Sequence, residues 1–219
     1  AEFEEWCDYA ARADCARMKD DPKLIGYFYT DCPIWIHSRR PENKPPIFDP
    51  ELLTSEAGRK ELFELATHYY RVTHDAIRRY DQNHLILGDR YEGRAPLAKE
   101  VLRAAVPFID VLCFQNFGPV AEVAGSFLHW HEVTGLPVLL ADAGGKKGGW
   151  QRDTYRHKIK TLRELPCCVG WHLCGAYLRN HVRQAGVRDQ RLQPDQRFID
   201  EMTAANRETA DFVRRTADY

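Results

Sequence analysis

Leu24 to Asp31 reads LIGYFYTD, an apolar and aromatic run that turns polar at its last two residues. Four later segments repeat the form: LILGDRY (Leu85 to Tyr91), IDVLCFQN (Ile109 to Asn116), PVLLADA (Pro137 to Ala143) and CVGWHLCGAY (Cys168 to Tyr177). Near-continuous apolar runs, rather than strict alternation, fit strands buried on both faces. Helical spacing lies between them. The stretch from Thr54 to Tyr80 opens on two capping residues and repeats apolar positions at Leu62, Leu65, Ala66, Tyr69, Val72 and Ile77. PLAKEVLRAAV places Pro96 at a first helical position, VAEVAGSFLHWHEVTG closes on Gly135, and QRDTYRHKIKTLREL stops before Pro166.

Strand, helix, strand is the pattern of parallel βα units, and the polar ends of the last four strands recur about every 26 to 30 residues. The predicted class is therefore α/β. Such an alternation can close into a TIM-type (β/α)8 barrel or form an open doubly wound sheet; neither GxGxxG nor GxxxxGK[ST] follows a strand, which weakens the nucleotide-binding open sheet. In either architecture the reactive residues belong at the carboxyl ends of the strands. A closed barrel has eight strands and about 250 residues. Five strands in 219 residues predict a single partial barrel domain, 1–219, holding about the last five units. Exposed edge strands and apolar helix faces should follow. One such face is Phe3, Trp6, Tyr9, Ala10 and Ala13 in the opening segment, which reads as an amphipathic helix rather than a signal peptide.

Thirty-one basic and 32 acidic residues give a net charge of -1, so nothing concentrates phosphate backbones or anionic lipid, and neither nucleic acid nor membrane is an expected partner. No apolar run approaches the roughly 20 residues of a membrane span. Seven cysteines without CxxC spacing read mostly as buried, reduced side chains, which favours a reducing compartment.

The strand ends resemble a known family. DDPKLIGYFYTDCPIW (Asp20 to Trp35) is similar to the fourth-strand segment of agarase-like proteins in the clan of retaining glycoside hydrolases with (β/α)8 barrels, and its Gly26-to-Trp35 spacing matches. HLILGDRYEG, IDVLCFQNFGP, LPVLLADAGG and CVGWHLCGAYLRN resemble the fifth to eighth strands, and the segment after Gly186 resembles the closing helix. The resemblance implies a carbohydrate substrate, such as a galactan, and no cofactor. It also implies secretion or a periplasmic location, against the cysteine reading. A further N-terminal part, or an oligomer, would complete the barrel. In the family a Glu preceded by Asn ends the fourth strand as acid/base and a Glu ends the seventh as nucleophile. Here Asp31 falls on the Asn, Cys32 on the acid/base and Asp142 on the nucleophile.

Retaining hydrolysis needs two carboxyls about 5 to 5.5 Å apart, and inversion about 6.5 to 9.5 Å. Asp31 and Asp142 are the expected catalytic pair, and the shorter Asp favours the wider spacing. The structural alternatives are that Asp31 caps its loop and that Asp142 pairs with Arg90 or Arg179. An ordinary thiol, with a pKa near 8.5, donates poorly to a glycosidic oxygen near neutral pH. Cys32 therefore reads as packing or a substrate contact; a thiol hydrolase would need a nearby His, for which His172 is the candidate. Trp35, Tyr91, Trp150 and Trp171 are candidate stacking platforms for sugar rings, although aromatics are more often core. Asp89 and His172 are further strand-end contacts, and Gln115 and Asn116 can both donate and accept toward hydroxyls or else cap loops. Cys168, His172 and Cys174 share one face of a strand, too close together to close a tetrahedral metal site, so no metal is expected. GGKKGG (Gly144 to Gly149) reads as a loop beside the cleft rather than a phosphate cradle.

Overall fold

Ser55 starts the longest helix: its hydroxyl accepts from the Gly58 N–H at 3.0 Å, as an N-cap should. The computed structural model describes residues 1–37, 45–143, 155–174 and 186–217. In it the helices are α1 (Glu2–Met18), α2 (Glu56–Tyr80), α3 (Lys99–Ala105), α4 (Val120–Thr134), α5 (Tyr155–Arg163) and α6 (Gln196–Ala217). The strands are β1 (Gly26–Asp31), β2 (Leu85–Glu92), β3 (Leu112–Gln115), β4 (Val138–Ala143) and β5 (Cys168–Leu173). They follow one another in the sheet in chain order, and the β1–β2 and β4–β5 pairs are parallel. This is the α/β arrangement that the alternation of patterns predicts. Helix α3 begins after Ala98 rather than at Pro96. Two compact units divide the chain: unit 1 is Ala1–Cys113 with Glu132–Pro137, and unit 2 is Phe114–His131 with Val138–Tyr219.

In unit 1, α2 buries Leu62, Ala66, Tyr70 and Ile77, a stripe at helical spacing that packs on the sheet. Gly58 lets the first turn of α2 approach the 3-10 turn Pro50–Thr54, since a Cβ there would lie 2.0 Å from the Leu52 carbonyl oxygen. Below β1 and β2, Asp81 accepts from the Tyr27 hydroxyl at 2.6 Å and from the N–H groups of Asn83 at 2.7 Å and His84 at 3.1 Å. Burial pushes its carboxyl up, but these bonds and the His84 ring outweigh burial and hold it at about 2. Asp110 joins the starts of two strands, accepting from Ile86 N–H at 2.7 Å and from Arg78 at 3.0 Å. The apolar face of α1 expected to be exposed is exposed at Phe3, Trp6 and Tyr9, and the Trp6 and Tyr9 rings stack on each other at 5.8 Å. The buried residues of α1 are the small Ala11 and Cys15.

In unit 2, β4 and β5 pair with Val138 opposite Cys168 and Ala143 opposite Leu173. Helix α5 buries Tyr155, Lys158, Ile159 and Leu162. It packs on α6, where the Tyr155 hydroxyl donates to Asn206 at 3.1 Å and the Arg163 guanidinium lies over the Phe212 ring. Phe114 of β3 contacts Phe127 of α4 at a centroid distance of 6.1 Å. Cys15, Cys113, Cys167 and Cys174 are buried, as small apolar cysteines should be. Exposed apolar side chains remain at Phe28 on β1 and Val169 on β5. No described helix is long and apolar enough to cross a membrane.

Candidate active site

The end of β1 in unit 1 is organised around Asp31. Arg90 of β2, paired opposite it, donates to Asp31 Oδ1 from Nε at 2.9 Å and lies 2.7 Å away through Nη2. The strand then breaks at Cys32, whose φ of +50° is left-handed, a conformation in which a non-glycine side chain is strained. Its N–H donates to the Arg90 carbonyl at 2.9 Å and its thiol donates to Asp31 Oδ1 at 3.1 Å. Asp31 thus accepts from both the Arg90 guanidinium and the Cys32 thiol.

Next to this turn, unit 1 holds a buried polar cluster. Asp89 is fully buried and accepts from the hydroxyls of Tyr69 at 2.9 Å and Tyr70 at 2.7 Å. Tyr70 in turn is 2.5 Å from the Tyr91 hydroxyl. Trp35, 2% exposed, packs against the rings of Tyr69 and Tyr70 at 5.5 and 6.0 Å. Its indole N–H makes no hydrogen bond of good geometry, yet it is oriented so as to favour the Asp89 carboxylate. Burial raises the Asp89 carboxyl to about 6 against the lowering effect of these donors, and burial pushes the Tyr70 and Tyr91 phenols well up. Asp89, Tyr91 and Trp35, expected as sugar contacts, are therefore turned onto α2 and hold the strand end in place. The physical reason is a bulge. Gly88, with φ +62°, sits where the pairing of β1 and β2 shifts register, and a bulge re-aims the side chains beyond it.

Unit 2 gathers its polar residues at the ends of β3, β4 and β5. Asp142 is 4% exposed on β4. Its carbonyl accepts from the Asn116 N–H at 2.9 Å, while Asn116 Oδ1 accepts from Gly118 N–H at 2.9 Å. This is the loop-capping role open to Asn116, and it leaves the side-chain amide nitrogen for other partners. Lys158 of α5, absent from the sequence expectations, donates to the Gly118 carbonyl at 3.1 Å. Burial lowers its ammonium to about 7. One signal could have found it: Tyr155, Lys158, Ile159 and Leu162 fall on one helical face, so a lysine interrupts an apolar stripe. Gln115, like Asn116, is buried.

His172 of β5 places Nδ1 2.5 Å from the Ala141 carbonyl oxygen and 3.8 Å from Asp142 Oδ1. Trp171 faces the other way, with its indole at the Tyr155 hydroxyl of α5. Cys168 donates weakly to the Gly170 carbonyl, and burial raises its thiol to about 11, unfavourable for a thiolate ligand. Among the described residues no group of three or more His, Cys, Asp or Glu could hold a metal. Trp150, Arg179 and the GGKKGG segment lie outside the described residues.

No protein-family model matches the chain, and no curated protein does. Among solved structures it is similar to the agarase AgWH50C, with a TM-score of 0.75 and 18% identity over 95% of this chain and 39% of that one. It is also similar to BpGH50, with a TM-score of 0.71 and 17% identity over 96% of this chain and 55% of that one. A third is the GH5_18 protein from Streptomyces cattleya in complex with GlcNAc, with a TM-score of 0.68 and 12% identity over 94% of this chain and 54% of that one. The chain thus spans less than two thirds of each. Likeness at these identities concerns the fold alone; these neighbours are TIM-barrel glycoside hydrolases.

Proposed function

We propose that the chain is the last five units of a (β/α)8 barrel, one partial domain over 1–219, that acts as a glycoside hydrolase on an oligo- or polysaccharide, a galactan such as agar being the best candidate. A further part of the protein, or a second copy, supplies the remaining units. Asp142 is the central catalytic carboxylate and Asp31 the second. Cys32, Gln115, Asn116 and His172 are substrate contacts, and Asp89, Tyr91, Trp35 and Trp171 brace them. The observation that carries this reading is Asp142 itself: a carboxyl 4% exposed at the carboxyl end of a parallel strand, beside an exposed imidazole, in a fold shared with glycoside hydrolases. Asp142→Asn should abolish release of reducing ends from agaro-oligosaccharides, by about a thousandfold or more, while calorimetric binding stays near the wild-type value. Turnover that survives the substitution would remove Asp142 from the chemistry.

A second reading is a carbohydrate-binding barrel without turnover. What favours it is the engagement of Asp31 by Arg90 and by the Cys32 thiol, which occupies an acceptor where a proton donor is wanted. It requires measurable sugar affinity and no reducing-end release by the wild-type protein.

A further inference from the structure

Within unit 2, His172 and Asp142 stand on paired parallel strands, Leu140 opposite Trp171 and Ala143 opposite Leu173. The imidazole is oriented by its contact with the Ala141 carbonyl, 2.5 Å from Nδ1. A carbonyl oxygen only accepts, so Nδ1 carries the hydrogen. In the neutral ring the lone pair is then on Nε2, and in the charged ring the second proton is there. Asp142 Oδ1 lies 3.8 Å from Nδ1 on the neighbouring strand. The carboxyl is 6% exposed and the imidazole 61%: a buried acid backs a largely exposed ring. Orientation at one nitrogen and access to the ring are two requirements of a proton carrier.

At the end of β1 the Cys32 thiol is committed to Asp31 and the Asp31 carboxylate is held by Arg90. We infer that His172, rather than the second carboxylate Asp31, is the proton donor, with the Asp142 carboxylate as its neighbour; the inference rests on the glycosidase reading above. In the step it performs, the bond from the anomeric carbon to the departing oxygen breaks and its electron pair stays on that oxygen. The Nε2 proton moves to the same oxygen, leaving a neutral imidazole. The anomeric carbon is taken by the nucleophile at Asp142, either the carboxylate itself or a water that has passed its proton to it.

His172→Asn tests this, because the Asn amide can keep the bond to Ala141 while Nε2 is lost. Turnover of agaro-oligosaccharides, whose leaving oxygen needs a proton, should fall by about a hundredfold or more. Turnover of a dinitrophenyl β-galactoside, whose leaving group departs unaided, should stay within about tenfold of wild type. Equal losses on both substrates, or no loss on either, would overturn the assignment. Nitrogen NMR of the wild-type protein gives an independent reading: a neutral His172 with its proton on Nδ1 supports the role, and one with its proton on Nε2 overturns it. If the wild type cleaves neither substrate, the glycosidase reading falls and this inference with it; wild-type turnover that His172→Asn leaves intact sinks the inference alone.

Discussion

Asp89 is a carboxyl enclosed by phenols, accepting from Tyr69 and Tyr70, with Tyr91 behind them. Its folded-state value of about 6 lies above the ordinary 3.8, so between these values the folded protein binds a proton that the unfolded chain does not. Stability from this group therefore rises as pH falls from about 6 to about 4, by an amount on the order of 2 kcal/mol. Asp89→Asn should remove that rise, as urea midpoints at pH 7 and pH 4.5 would show; an unchanged pH response in the variant would refute the burial argument. Asp81 has the opposite sign. Its depressed carboxyl contributes stability that is present above about 4 and is lost as pH falls toward 2.

At the scale of elements, the contact of α2 with the turn before it depends on the absence of one side chain. A Cβ at Gly58 would meet the Leu52 carbonyl oxygen at 2.0 Å, an overlap that backbone must move to relieve. Gly58→Ala, which in an open helix would stabilise by about 1 kcal/mol, should here destabilise by about 2 kcal/mol or more in equilibrium unfolding. The elements themselves were largely legible. Strands buried on both faces announce themselves by unbroken apolar runs, and α2 by its stripe and cap. What could not be read was direction. A polar strand end does not say which way its side chains turn: beyond the bulge at Gly88, Asp89 and Tyr91 lie on α2, and Trp171 points at α5. Asp142 and His172 were legible as strand-end residues; their mutual contact was not, because pairing register is a property of two strands rather than one.

For the molecule as a whole, the exposed apolar side chains matter most. Trp6 is 65% exposed in unit 1 and Val169 59% in unit 2, each on its own unit's surface. Apolar groups of this size in water favour association. Trp6→Lys and Val169→Lys should each lower the weight-average mass in sedimentation equilibrium at high protein concentration, with little change in unfolding midpoint. A wild-type protein that is monodisperse and unaffected by both substitutions would mean that these side chains are covered in solution. Net charge of -1 gives little repulsion to oppose such contacts.

The left-handed turn at Cys32 bears on how the protein could be made more robust. Glycine would relax that backbone at no steric cost, while deleting the sulfur that leans on Asp31 and freeing the carboxylate to reorient. Heat tolerance and the local hold on Asp31 are thus set against each other at one position, and any programme of thermal hardening that passes through it will alter the polarity of the end of β1 as well.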